Sequence, residues 1–262
     1  MGGKIILQKH PYLNTQYLGI LMNEKNPLVK NSPLKIKAVR QAMNYAIDKQ
    51  QLMMYLRNSI GVAANAGFAP GGLPSHNKDS VKGYLYNQQK ALKLLSDVGF
   101  GNNKDIPAIT LSTIPDYADL SDFIAKQENN IGIKVQVEVL QKSMLLQQTA
   151  KNNAAFFLGS WIADYPDAEN YMACFYSKNP SPPNYTQYKN PEFDKLYEQS
   201  LQENDDSIRY SLYRKMDQII IDDAPVIPIF YDEAIQLVQP GVHGFKTNAQ
   251  NMFELKNVFF EK

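Results

Sequence analysis

The sequence predicts an α/β fold, a mixed β-sheet flanked by helices, and three observations carry that prediction. Extended apolar segments alternate with helical segments of roughly ten to fifteen residues, the spacing of a layered α/β domain with at least partly parallel pairing. Ile133, Val135, Val137 and Val139 alternate with Lys134, Gln136 and Glu138, the period-two signature of a half-buried strand. Ala154-Ala-Phe-Phe-Leu158 is a continuous apolar run ended by Gly159, which reads as a strand buried on both faces.

Taken in order, Ile5-Ile-Leu7 and Tyr17-Leu-Gly-Ile-Leu-Met22 read as two strands. Ser32-Pro33 is a helix start, a capping hydroxyl followed by proline at the first helical position. Behind it Ile36, Val39, Met43, Ala46 and Ile47 fall on one side with a 3.6-residue period, facing a core. Arg40, Asn44 and Asp48 fall on another side, where Arg40 and Asp48 read as a solvated or domain-internal polar face. Asp48–Tyr55 restarts a short helix. Residues Gly61–Asn77 are rich in Gly, Ala and Pro and read as a long ordered loop, since helical patterning resumes on both sides.

Asn87 caps a helix carrying Ala91, Leu92, Leu94, Leu95 and Val98, with Gly99 placed for a left-handed end. A strand over Ile106–Ser112, a helix over Asp119–Asn130, the alternating strand and a helix over Ser143–Ala150 follow. After the buried strand come a helix over Glu169–Tyr176, a proline-rich loop, and helices over Pro191–Gln202 and Asp206–Asp222. Val226–Tyr231 and Ile235–Val238 read as two closing strands, and the tail through Phe260 as apolar and extended.

Composition narrows the function. Of 262 residues 20% are charged and the formal net charge is +1, which excludes the basic excess of a phosphate-neutralising surface and makes nucleic acid an unsuitable partner. Sixteen tyrosines outnumber twelve phenylalanines, and tyrosine offers flat apolar area with a hydrogen-bonding tip, for core, surface or ligand groove alike. The single cysteine, Cys174, among Tyr171, Met172 and Phe175, reads as a small buried apolar residue. His10, His76 and His243 lack ligand spacing, so neither a metal nor a cofactor is indicated; nucleotide, zinc-protease and hydrolase motifs are missing. Met1-Gly2-Gly3 reads as a cloning remnant, and no run approaches the length of a membrane span.

The most informative stretch is Gly159-Ser-Trp-Ile-Ala-Asp-Tyr-Pro-Asp-Ala-Glu-Asn-Tyr171. It places an indole (Trp161), a carboxylate (Asp164) and a Tyr165-Pro166-Asp167 turn beyond a strand's C-terminal end, where open α/β sheets hold ligands. An acid beside an aromatic wall suits a ligand carrying an ammonium group. Asp164 or Asp167 could equally cap the helix that begins near Ala168, and for Asp167 the cap is the preferred reading.

Trp161-Ile-Ala-Asp-Tyr-Pro-Asp167 resembles the ligand-binding segment of extracytoplasmic solute-binding protein family 5, the dipeptide- and oligopeptide-binding proteins of bacterial ABC importers. Lys37–Asp48, Ile131–Val137, Asn190–Asp194 and Ala224–Ile229 fit the same family in sequence order, and the place of Arg40 and Asp48 in the first of these stretches suggests a structural salt bridge more than a ligand contact. The resemblance runs from about Tyr17 onward and covers only the C-terminal half of the longer family members. It implies the second lobe of a type II periplasmic-binding-protein-like fold, with residues 4–223 as the ligand-binding lobe and 224–262 as a segment returning towards an absent first lobe.

The resemblance also implies a site: Asp164 receiving a peptide's amino terminus, Trp161 and Tyr165 beside it, and no catalytic or metal-binding residue. Peptide, permease subunits and the missing N-terminal lobe are the implied partners, and the location is the periplasm or a cell-surface lipoprotein whose leader lies upstream. The alternatives are a non-peptide solute such as a nickel complex or an oligosaccharide, and a hydrolase using Asp164 and Glu169 as acid and base.

Overall fold

The computed structural model describes residues 5–77, 79–100 and 106–261; Met1-Gly2-Gly3 lies outside them. The chain opens with strand β1 (Ile6–Ile20), then helices α1 (Pro27–Lys30), α2 (Lys37–Ala46) and α3 (Lys49–Leu56). Short β2 (Val62–Ala63) precedes α4 (Gln88–Asp97), β3 (Ile109–Thr113), α5 (Ala118–Asn129), β4 (Val135–Val139) and α6 (Lys142–Ala150). Then follow β5 (Phe156–Ile162), α7 (Glu169–Met172), α8 (Pro191–Ser200), α9 (Asp206–Asp223), β6 (Val226–Val238) and the small pair β7 (Val242–His243) and β8 (Phe259–Phe260).

Six strands form one mixed sheet in the order β2-β6-β1-β5-β3-β4. β1 is antiparallel to both β5 and β6, whereas β3 runs parallel to β4 and β5. The sheet separates two cores. Phe156 contributes to one, with Leu18, Val39, Met43, Ile124 and Phe230. The next residue, Phe157, contributes to the other, with Tyr17, Phe68, Tyr171, Phe175 and Met216. Successive strand side chains point to opposite faces, so a strand covered on both sides must be apolar at every position, as Ala154–Leu158 is.

Several expectations are corrected. The two opening strands are one, β1, in which Pro11 stands at the edge of a register irregularity between Pro11 and Thr15, the kind of place where a strand tolerates proline. The two closing strands are also one: the charge at Asp232 is satisfied inside the ribbon, by Asn14 Nδ2 at 2.5 Å and Arg57 at 3.0 Å. Ser32 does cap, accepting from Leu34 N–H at 3.2 Å, but the turn it starts is a short 3-10 helix, with α2 beginning after Ile36. The strand expected from Ile106 begins at Ile109, beyond Pro107.

The suggested Arg40–Asp48 salt bridge is absent. Arg40 is 4% exposed and donates to the carbonyls of Leu34, Lys35, Asp223 and Ala224, tying the start of α2 to the end of α9. Asp48 instead caps α3, accepting from Gln51 N–H at 3.0 Å. The Gly61–Asn77 loop is ordered as expected, though it opens with β2. Four side chains pin it: Lys49 Nζ to Ala64 O, Thr15 to Phe68 O, Tyr231 to Gly67 O, and the Asp217 carboxylate beneath Phe68 N–H at 2.6 Å.

Candidate ligand-binding site

Register sets the position of the site. Among the described residues β3 and β5 share one register pair, Ser112 with Phe157. Beyond it β3 ends at Thr113 and the chain turns through Pro115–Tyr117 into α5, while β5 continues to Ile162 against β1 alone. A pocket of about 310 Å³ occupies the space left along this outer edge of β5. Its walls are the strand from Phe157 to Trp161, the Ile114–Tyr117 turn and the inner side of α6, from Lys142 to Thr149. It therefore lies at the C-terminal ends of two parallel strands, where α/β sheets hold ligands.

Trp161 is half-buried at the mouth of that pocket. Its indole N–H donates to Asn170 Oδ1 at 2.8 Å, so the ring is fixed by a bond that needs no ligand and presents only apolar surface outward. Asp164 stands on the exposed loop after β5, outside the residues that line the pocket. No ion pair engages its carboxylate among the described residues, and its carbonyl accepts from Gln250 Nε2 at 3.0 Å. The tail thus reaches the loop, and Ala249 O also accepts from Leu13 N–H at 2.8 Å.

Tyr165 points elsewhere. Its hydroxyl donates to one oxygen of Glu169, and the hydroxyl of Tyr197 donates to the other. Burial first, and the Glu169 bond second, push the Tyr165 phenol up to about 12 and raise that of Tyr197 further. With each oxygen accepting one phenolic hydrogen bond, Glu169 ties the loop to α8 and braces it. Asp167 has the capping role expected of it: it accepts from Glu169 N–H at 2.9 Å and pairs with Arg209 at 3.1 Å. Cys174 is buried, its thiol pushed up by that burial.

The structure thus brings Trp161 to a pocket but leaves Asp164 and Tyr165 on the adjoining loop. The sequence reading missed Gln16, Tyr117 and Leu146, which line the same pocket. A signal was present: Ile114-Pro-Asp-Tyr117 repeats after β3 the strand-end turn chemistry of Tyr165-Pro-Asp167 after β5. The missed helix α1 was signalled too, by Asn26-Pro27, where the Asn26 side chain accepts from Leu28 N–H.

This fold and site define an extracellular solute-binding protein: the chain belongs to the bacterial extracellular solute-binding proteins, family 5, whose middle-region model matches residues 2–183. It is 27% identical over 236 residues to the dipeptide-binding protein DppE of Bacillus subtilis (strain 168), covering 87% of this chain and 43% of that protein. It is likewise 27% identical over 263 residues to the periplasmic oligopeptide-binding protein OppA of Salmonella typhimurium, covering 96% and 46%. Heme-binding protein A of Haemophilus influenzae is 24% identical over 247 residues, covering 92% and 44%.

Among solved structures, the oligopeptide-binding protein AppA of Bacillus subtilis, in complex with a nonapeptide, superposes with a TM-score of 0.79 at 22% identity, covering 99% of this chain and 53% of that one. At that identity the likeness is one of fold. The chain spans about half the length of the curated relatives it matches.

Proposed function

We propose that this chain is one lobe of the substrate-binding component of a bacterial ABC importer, and that the whole protein closes two lobes over a peptide and delivers it to the permease. The observation that carries the reading is the Asp164 carboxylate, without an ion pair among the described residues and exposed two residues beyond the end of a strand whose outer edge pairs with no other described strand beyond Phe157 and whose Trp161 walls a pocket. An extended peptide laid along Leu158–Ile162 gains main-chain bonds whatever its sequence. Its ammonium group then meets Asp164, in a pair that strengthens as closure expels water. Relatives named for binding dipeptides and oligopeptides support the peptide, and Heme-binding protein A keeps a non-peptide solute as the second reading.

The second lobe is supported by the surface. Ile6, Leu7, Leu237, Phe259 and Phe260 are exposed large apolar side chains on the far end of the β1–β6 ribbon and on the tail, a concentration that marks an interface. Residues 224–262 are on this reading the segment that returns towards that lobe, and Tyr165 acts on the ligand through the loop it braces. The protein binds rather than catalyses, and it works outside the cytoplasmic membrane, free in a periplasm or lipid-anchored.

With half the enclosing surface missing, this chain alone binds peptide weakly, with dissociation constants on the order of millimolar. Titration of tri-alanine and its N-acetylated form, followed by NMR shifts of the 158–170 segment, tests the site. The free amine binds at least about tenfold better, and Asp164→Asn abolishes the difference. Equal binding of the two forms rules out Asp164 as the amine receptor.

A further inference from the structure

β4 ends the sheet, and one of its two edges has no strand against it among the described residues. Its ladder with β3 shows which main-chain groups face inward. Ile109 N–H donates to Lys134 C=O at 2.9 Å, and Leu140 N–H donates to Thr113 C=O at 2.8 Å. Even-numbered residues of this stretch therefore turn their main chain to β3, and Val135, Val137 and Val139 turn theirs outward. Val135 N–H is taken by Asn129 Oδ1 at 3.2 Å. Among the described residues no hydrogen bond reaches Val137 N–H or Val135 C=O. A bare edge of this kind is a template for another strand.

The side chains along this edge complement their own sequence read backwards. Lys134, Gln136 and Glu138 are exposed on one face of the strand. Val135 and Val137 lie on the other, in and against the core that also holds Ile124 and Ala125 of α5. No ion pair engages Lys134 or Glu138 among the described residues, and Glu138 accepts from Ser112 Oγ through Oε2 alone, at 3.0 Å. Laid antiparallel to a second copy with Gln136 opposite Gln136, Lys134 of each chain faces Glu138 of the other. The same register sets Val135 opposite Val137 on the apolar face. Centring the pairing on Val135 or on Val137 instead puts Gln136 opposite Lys134 or Glu138, and both charge pairs are lost.

We propose that this edge is a self-association surface, through which two copies of the chain pair β4 to β4 about a two-fold axis at Gln136. Val137 N–H of each chain donates to Val135 C=O of the other, and the Asn129 bond to Val135 N–H stays in place. The two Lys134–Glu138 pairs fix direction and register, as cross-strand charge pairs do. Such a contact is isologous and closes at two chains, so it does not propagate. The axis stands perpendicular to the sheet, and β3 and β5 run parallel to β4, so the two pockets beside Trp161 open at opposite ends of the joined sheet. The β1–β6 ribbon, with its apolar far end, lies across the sheet from β4. Pairing at β4 therefore obstructs neither the pocket nor the ribbon.

The contact is short, and its expected dissociation constant is on the order of 100 micromolar. Sedimentation equilibrium of this chain, from about tenfold below to about tenfold above that value, shows the average mass rising from one chain towards two. Lys134→Glu and Glu138→Lys, both at exposed positions and each checked for an unchanged fold by circular dichroism, set like charges opposite one another. Each variant alone associates at least about tenfold more weakly than the parent. An equimolar mixture of the two recovers the parent's association, because every charge then meets its opposite in the mixed pair. A chain that stays single at every concentration overturns the proposal. Association that survives both single reversals belongs to another surface, such as the apolar end of the ribbon, and overturns it as well. A mixture that associates no more tightly than either variant alone rejects the register and the pairing with it.

Discussion

Tyr17 lies directly across the β1–β5 ladder from Gly159, close enough that a Cβ on residue 159 would stand 2.7 Å from the tyrosine ring. The pairing places a buried ring over the one residue without a side chain to obstruct it, and Tyr17 also lines the pocket beside Trp161. The same device recurs two residues along, where Phe157 covers Gly19. Glycine here is demanded by close approach, not by an unusual backbone angle.

Gly159→Ala therefore overpacks a region that cannot yield easily, since Tyr17 is 4% exposed. The expected loss is about 1–3 kcal/mol, read as a lower urea midpoint with an unchanged slope. A variant as stable as the parent would show that Tyr17 swings aside freely.

Arg40→Lys removes a planar fork that reaches four carbonyls at once and leaves a single ammonium to serve them. Two of those carbonyls, of Asp223 and Ala224, close the C-terminus of α9, where a cation is also favoured by the helix dipole. A destabilisation of roughly 2–3 kcal/mol is expected from the stranded buried acceptors. Thermal unfolding checks it, and a shift of under about 2 °C would mean that water reaches them.

Asp217 makes stability depend on pH. Burial raises its carboxyl to about 7, against the pull of the Phe68 and Ala69 N–H groups, which favour the charged form. In the unfolded chain the same carboxyl titrates near ~4. Between about pH 4 and 7 the unfolded state has released a proton that the native state keeps, so stability falls as pH rises through this window. Asp217→Asn lacks that loss, and its stability relative to the parent should grow between about pH 4.5 and pH 7 and level off above that in urea titrations. Parallel curves would show an unshifted carboxyl.

Glu169→Gln tests the brace under the ligand loop. A neutral amide cannot accept equally from Tyr165 and Tyr197, since one of its two ends is a donor. Faster amide exchange across 163–170, with the global unfolding free energy lowered by about 1–2 kcal/mol, is the expected result. Unchanged exchange in that segment would place its order in Asp167 and Arg209 instead.

Period and punctuation in the sequence determined the element types, the mixed sheet flanked by helices, the doubly buried strand before Gly159, the caps at Ser32, Asn87 and Asp167, and the loop that follows β5. These are local matters, settled by which neighbours a residue has three or four positions away or directly beside it. Tertiary structure decided that β1 and β6 are each continuous, because their polar interruptions at Asn14 and Asp232 satisfy one another across 218 positions of chain. It likewise decided that Arg40 serves carbonyls rather than Asp48, and that Trp161 shares its pocket with Gln16 and Tyr117 rather than with Asp164. A pocket is a property of register between strands distant in sequence, and no residue's own neighbours encode where two strands part.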